Sequence, residues 1–229
     1  MSLQIDEFLP ILARPHSALT AGGFRPTGAD DESWIGRVFL FRADDDVPLS
    51  ESGRPLIPLA QLHIPSLPAR SDLLDGIEIL TVFVSDPLPD PLAPMGPDWV
   101  VREYRPGDEL VGKDVPVRTP LKPFPVRVEP GAADHPLWDG GGMPDAVQRR
   151  IVEHDLIDDY FADSSHRRGH KVGGWPSFCQ AGEHPGDGFE FVFQIDSDEK
   201  VGLNVVDGGT LTFWKHRDDG RWALYYDFL

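Results

Sequence analysis

The sequence predicts an α+β protein dominated by antiparallel β-sheet. Gly and Pro each occur 23 times in 229 residues, which implies frequent turns and short strands rather than long helices. Segments rich in β-branched and aromatic residues recur between Gly, Pro or Asp clusters. Helical periodicity is confined to two short stretches. With 40% apolar residues and six tryptophans, the chain has ample material for one packed interior, and a single domain over residues 1–229 is expected.

In chain order, Ile5, Phe8, Leu9 and Leu12 recur at helical spacing, with Pro10 interrupting the turn. Strands are expected at 37–41 (RVFLF), 78–84 (EILTVFV) and 98–104 (DWVVREY). The Pro- and Gly-rich stretch from Val111 to Gly142 lacks periodicity and reads as a connection or surface loop. A helix is expected from Pro144, which suits a first helical position, with Val147, Ile151, Ile157 and Phe161 on its buried stripe. Further strands follow at 189–196 (FEFVFQID), 210–214 (TLTFW) and 221–228 (RWALYYDF). In the first of these, alternation puts Phe189, Phe191, Phe193 and Ile195 on one face and Glu190, Gln194 and Asp196 on the other.

The two ends of the chain echo one another. TAGGF (20–24), PLAQLHI (58–64), ILTVFV (79–84) and WVVREY (99–104) are matched in order by KVGGW (171–175), FVFQIDS (191–197), TLTFW (210–214) and WALYYDF (222–228). Gly-Gly-aromatic, a Gln on a strand, a β run and an aromatic closing strand recur. This pattern predicts a duplication: two repeated sheet units, about 13–110 and 165–229, related by a pseudo-twofold axis.

These residues also carry a family resemblance. HKVGGWPSFCQ (170–180), FVFQIDSD (191–198), DGG (207–209), LTFW (211–214) and WALYYDF (222–228) resemble the C-terminal half of the YwqG-like family, bacterial proteins with a domain of unknown function. ARPHSALTAGG (13–23), GRPLIPLAQLHIPSLP (53–68) and VFVSD (82–86) resemble its N-terminal half. The sequence departs from the family pattern at Ala21, at Val205 and Val206, and after Gln180, where it reads Ala-Gly-Glu-His-Pro-Gly. The resemblance implies a fold and a bacterial source rather than a reaction. The company kept by some relatives implies an immunity role beside toxin systems.

The formal charge of −17 repels phosphate backbones and anionic lipid, so neither nucleic acid nor a membrane surface is an expected partner. The opening MSLQIDEFLPILARP carries Asp6 and Glu7 where a secretory signal needs positive charge, and the expected location is the cytoplasm. Cys179 is the single cysteine. It cannot form an internal disulfide or a cysteine-based zinc site, and it is expected to be a small buried side chain.

Three apparent motifs fail on their own chemistry. GDELVGKD (107–114) has phosphate-loop spacing, yet Asp114 stands where a Ser or Thr must hold magnesium. DSDEKVGLNVVD (196–207) starts like a calcium loop, but Lys200 and Val201 occupy positions that need an oxygen ligand and a glycine. His154, His166 and His170 lie among aspartates, but Arg167, Arg168 and Gly169 favour a loop and add positive charge. No cofactor and no metal are expected.

The residues expected to be conformationally specific, and hence to form a binding site if one exists, are His170, Gly173, Gly174, Gln180, Gln194 and Asp196. Gly22, Gly23, Gln61 and His63 are their first-half counterparts. Paired glycines permit positive φ or close backbone approach, and a strand Gln can hold the exposed backbone groups of such a loop. The expected function is a non-catalytic protein-binding or immunity-type protein with an acidic surface. The alternative is an enzyme or small-ligand binder using a cleft between the repeats.

Overall fold

The computed structural model describes residues 4–114 and 117–228. A 3-10 turn at Ile5–Glu7 leads into the single helical turn α1 (Leu9–Leu12), and both bury one apolar stripe, Ile5, Phe8 and Leu12. Pro10 is tolerated because it sits in the first turn, where an N–H has no intrahelical partner. The strands are β1 (Arg14–Ala21), β2 (Trp34–Ile35), β3 (Leu40–Arg42), β4 (Ile57–His63), β5 (Ile79–Val84), β6 (Trp99–Tyr104), β7 (Leu110–Gly112) and β8 (Phe124–Asp134). After α2 (Asp145–Glu153) and α3 (Ile157–Asp163) come β9 (Lys171–Gly173), β10 (Phe189–Asp196), β11 (Thr210–His216) and β12 (Trp222–Asp227).

Ten strands join in one antiparallel sheet in the order β12-β11-β10-β9-β1-β8-β2-β4-β5-β6, and β3 pairs with β7 outside it. The sheet curls until its edge strands face each other. Glu103 on β6 accepts from Trp222 Nε1 on β12 at 2.8 Å and pairs with Lys215 Nζ at 2.7 Å. The β5–β6 loop completes the closure: Leu92 N–H donates to the Leu224 carbonyl, and the Tyr226 hydroxyl donates to the Pro89 carbonyl. This near-barrel leaves both outermost strands partly covered, which removes the hazard of an open sheet edge. Its interior packs Leu19, Ile35, Leu62, Val82, Phe193 and Phe213 from all around the sheet.

Two covering segments pack on the outer face. The chain around β3 lays Phe39 on Trp34, Ile79 and Tyr104, and Phe41 on Leu56 and Phe83. At the far end, Phe178 packs with Phe191, Trp214 and Tyr225. RVFLF is therefore mostly covering chain, and only Leu40 and Phe41 of it lie in β3.

One of the sheet's two central strands, β8, falls in the stretch that its composition marks as connecting loop. β8 pairs with β1 through Pro130 and Gly131, with a register shift at that point. Gly131 is needed there because a Cβ would lie 2.1 Å from the ring of His16.

Strict alternation also fails in β10. A register shift between Phe191 and Phe193 turns Phe191 outward beside Trp214, while Val192, Phe193 and Ile195 face the interior. A bulge adds one residue and inverts the pleat beyond it. β4 has the same irregularity between Pro58 and Ala60.

The expected single helix from Pro144 is two helices. Asp155 adopts φ 57°, which breaks the α2 repeat and resets its phase. The buried stripe becomes Ile151, Leu156 and Tyr160, and Phe161 is 60% exposed. No helix among the described residues is long and apolar enough to cross a membrane.

Candidate functional site

The densest buried polar cluster gathers where β8 ends against the chain entering β9. Asp134 and Lys171 are both fully buried, with Nζ 2.8 Å from Oδ2. Asp134 also accepts from Arg167 N–H at 2.6 Å through Oδ1 and from Trp175 N–H at 2.7 Å through Oδ2. Lys171 donates in addition to the Arg167 carbonyl. A buried ion pair holds only when its remaining lone pairs and protons find partners, and here the backbone supplies them. Burial pulls the Lys171 pKa down to about 8, against the opposing field of Asp134.

The same carboxylate explains Gly174. It adopts φ +71°, and a Cβ there would lie 2.3 Å from Asp134 Oδ2. Gly173 also has positive φ, and a Cβ on it would press on the Pro15 carbonyl at 3.1 Å. The paired glycines thus let the chain turn over Asp134 and lie against β1.

A relay of side chains runs beside this pair. Gln194 Nε2 donates to Ser177 Oγ at 3.0 Å, and Ser177 Oγ lies 2.8 Å from His166 Nε2. His166 Nδ1 lies 2.7 Å from the His135 carbonyl, so Nδ1 carries the proton and Nε2 accepts from the serine. Asp134 Oδ1 stands 3.5 Å from His166 Nδ1. Burial first, and then the charge of Lys171, lowers the His166 pKa to about 4. The ring is neutral near pH 7.

By connectivity this is a serine–histidine pair with a carboxylate behind it. Its serine, however, is 1% exposed, and none of the clefts described below is lined by it.

The residues singled out by the sequence divide between this region and a second one across the sheet. Gln194 Oε1 accepts from Ser177 N–H, and its Nε2 also donates to the Gly169 carbonyl. His170 accepts the Asp196 N–H through Nδ1 at 2.9 Å and donates through Nε2 to Asp198 at 3.2 Å; burial lowers its pKa. Asp196 takes the Gly169 N–H and the Thr210 hydroxyl. These three meet around Gly169.

Gln180 does not join them. It is exposed, donating its side chain to the Phe228 carbonyl and its N–H to Asp227. Cys179 next to it is half-buried rather than buried, with its thiol pKa raised by burial and by Asp227.

In the first half, Gln61 Oε1 accepts from the N–H groups of Phe39 and Leu40, and its Nε2 donates to the Glu32 carbonyl. His63 N–H donates to Ser33 Oγ, and its ring meets Ser66 Oγ. Gly22 and Gly23 lie at the exit of β1 and take no part in this arrangement. The place next to Gln61 belongs to β2, with Trp34 opposite the Gln as Lys171 is opposite Gln194. Gly36, at φ +75°, follows it.

No group of three or more His, Cys, Asp or Glu able to hold a metal occurs among the described residues. His166 and His170 are occupied as above, and the residues between them form no helix. Asp198 Oδ1 instead accepts the Lys200 and Val201 N–H groups in a side-chain-closed turn.

Sequence reasoning missed Asp134, Lys171, His166 and Ser177 as one constellation. The available signal was Lys171, a cation between strand residues and a Gly-Gly turn, which demands a buried carboxylate.

Open concavity lies elsewhere. A cleft of about 800 Å³ is lined by the segments at 50–57, 85–90, Asp98 and 117–118. Smaller ones of about 210 Å³ and 250 Å³ lie beside Arg37 and beside His63. The cleft at His63 is also lined by Asp30, Asp31, Glu78 and Asp108.

The comparison with known families bears on the buried cluster. Residues 121–222 match DUF1963, a domain of unknown function. The DUF1963 match opens just ahead of β8 and ends on the first residue of β12. It therefore contains Asp134, His166, Lys171, Ser177 and Gln194, and none of the residues that line the cleft of about 800 Å³. No curated protein matches the chain.

Proposed function

We propose that this is a YwqG-like cytoplasmic protein made of two repeated sheet units, and that it is a non-catalytic binding protein of the immunity type whose acidic surface engages a basic protein partner. The duplication is supported by paired interactions. Gln61 and Gln194 each take N–H groups of the segment covering their own half and donate back to a carbonyl two residues before their neighbouring strand residue, Glu32 before Trp34 and Gly169 before Lys171. Ser33 and His170 each accept the N–H two residues beyond the Gln, and both Gln-bearing strands have an irregular register at corresponding points.

One observation carries the functional reading: the serine–histidine pair of Ser177 and His166 is sealed from solvent beside Asp134 and Lys171, whereas the open cleft of about 800 Å³ has Glu51, Asp86, Asp90 and Asp98 on its walls against Arg54 and Arg118. Together with the charge of −17, this favours recognition of positive charge over catalysis. Affinity capture from lysate at low and at high salt tests it. A specific basic protein retained at low salt and released at high salt is the expected result; recovery of nothing at low salt counts against the reading.

The contact between Ser177 and His166 favours a second reading, a serine hydrolase opened by movement of the 164–169 segment. A fluorophosphonate probe separates the two. Labelling of Ser177 that is lost in Ser177→Ala supports the enzyme, and an unlabelled protein supports the binding role.

A further inference from the structure

We propose that the large cleft is a docking groove for an extended peptide segment in which basic and apolar residues alternate. This inference rests on the binding reading above and assigns it a place and a ligand chemistry.

The groove has two chemically distinct surfaces. Pro55, Pro87, Leu88 and Val117 contribute apolar lining that reaches the surface, while Glu51, Asp86, Asp90 and Asp98 contribute carboxylates against two cations among the described residues, Arg54 and Arg118. Asp86 and Asp90 are exposed and enter no ion pair among the described residues. An extended chain presents alternate side chains on opposite faces. A peptide with arginine or lysine at every second position can therefore meet the carboxylates with one face and the apolar lining with the other.

The wall of the groove is also held in place before any ligand arrives. Residues 85–98 join β5 to β6, whereas the corresponding connection from β11 to β12 spans only 217–221. Long connections without secondary structure in compact domains are usually functional or disordered, and this one is tied down along its length. Ser85 Oγ donates to the Pro87 carbonyl, Tyr226 to the Pro89 carbonyl, Leu92 N–H to the Leu224 carbonyl, and Trp99 Nε1 to the Ala93 carbonyl. A braced wall lowers the ordering cost of binding.

The test uses the full chain and two fluorescein-labelled hexapeptides, one alternating arginine and leucine, the other with the same residues in two blocks. Anisotropy at low salt is expected to show tighter binding of the alternating peptide. Asp86→Asn/Asp90→Asn/Asp98→Asn is expected to weaken it about tenfold or more, following the range for exposed ion pairs. Asp158→Asn/Asp159→Asn/Asp163→Asn on α3 removes the same charge from exposed positions and is expected to change affinity less than about twofold.

Ser52→Trp keeps every charge and fills the cleft from an exposed loop position. It is expected to abolish binding, and it decides the matter if the triple cleft variant proves unfolded by circular dichroism. Equal affinity for the two peptides, equal loss in the two triple variants, or unimpaired binding by Ser52→Trp overturns the groove. If salt-dependent capture of a basic protein persists in that case, the groove alone is lost; if capture fails as well, the binding reading falls with it.

Discussion

Lys171 Nζ and Asp134 Oδ2 form a fully buried ion pair, 2.8 Å apart, between two strands that do not pair with each other: β1 runs between β8 and β9. The pair clamps the chain at the end of β8 onto the turn that follows β9. Asp134→Ala removes the acceptor for Lys171 and for two backbone N–H groups, and is expected to cost about 3–5 kcal/mol, the range for breaking a buried pair. Lys171→Met leaves those N–H groups on Asp134 and is expected to cost less. Urea unfolding of the two variants checks the order, and equal losses would contradict it.

His166 makes stability depend on acid. Its pKa is about 4 in the folded protein against an ordinary value of 6.5, because burial disfavours the charged ring. Between those values the unfolded chain binds the extra proton, so this contribution is complete above pH 6.5 and is lost as pH falls toward 4. The size is on the order of 3 kcal/mol. His170, whose pKa burial also lowers, acts in the same direction. Chemical unfolding from pH 7 to pH 4 is expected to show a falling free energy, with a shallower fall in His166→Gln. An unchanged slope in that variant would show that another group is responsible.

What was legible in the sequence follows from how local each determinant is. The strands at β5, β6, β10, β11 and β12 declare themselves because one run of β-branched and aromatic residues suffices. β8 is hidden because Pro130 and Gly131 read as loop, although Gly131 answers to His16 across the strand pair. The outward turn of Phe191 depends on a bulge whose cause lies in the neighbouring strand. Gln194, Gln61 and the Gly173–Gly174 pair were visible as conformational devices. Their partner Asp134 was not, since 37 residues separate it from Lys171. The repeated order of motifs is legible in the sequence as well, but Gly22–Gly23 lie at the exit of β1, the strand beside Gln61 is β2, and strands of both halves join in one ten-stranded sheet.

The paired roles of Gln61 and Gln194 predict matching local defects. Each side chain bonds backbone groups of its own covering segment, so Gln61→Ala leaves the Phe39 and Leu40 N–H groups without an acceptor and Gln194→Ala does the same to Ser177. Each substitution is expected to cost about 1–3 kcal/mol. Hydrogen exchange should quicken at Phe39 and Leu40 in the first variant and at Ser177 in the second. Faster exchange spread evenly over both halves would mean that the glutamines support the whole barrel rather than one cover each.

Gly174 and Gly169 separate backbone strain from crowding. Both have positive φ, +71° and +86°, but a Cβ at Gly174 would meet Asp134 Oδ2 at 2.3 Å whereas nothing lies within 4 Å at Gly169. Gly169→Ala should therefore cost only the left-handed penalty of about 1–2 kcal/mol. Gly174→Ala must also push the carboxylate off Lys171, which places its cost above about 3 kcal/mol. Thermal unfolding of the two variants measures the gap. Should the two melt together, Asp134 has room to move and the clamp is looser than its hydrogen bonds imply; a much lower midpoint for Gly174→Ala alone ties the Gly-Gly turn to the buried carboxylate beneath it.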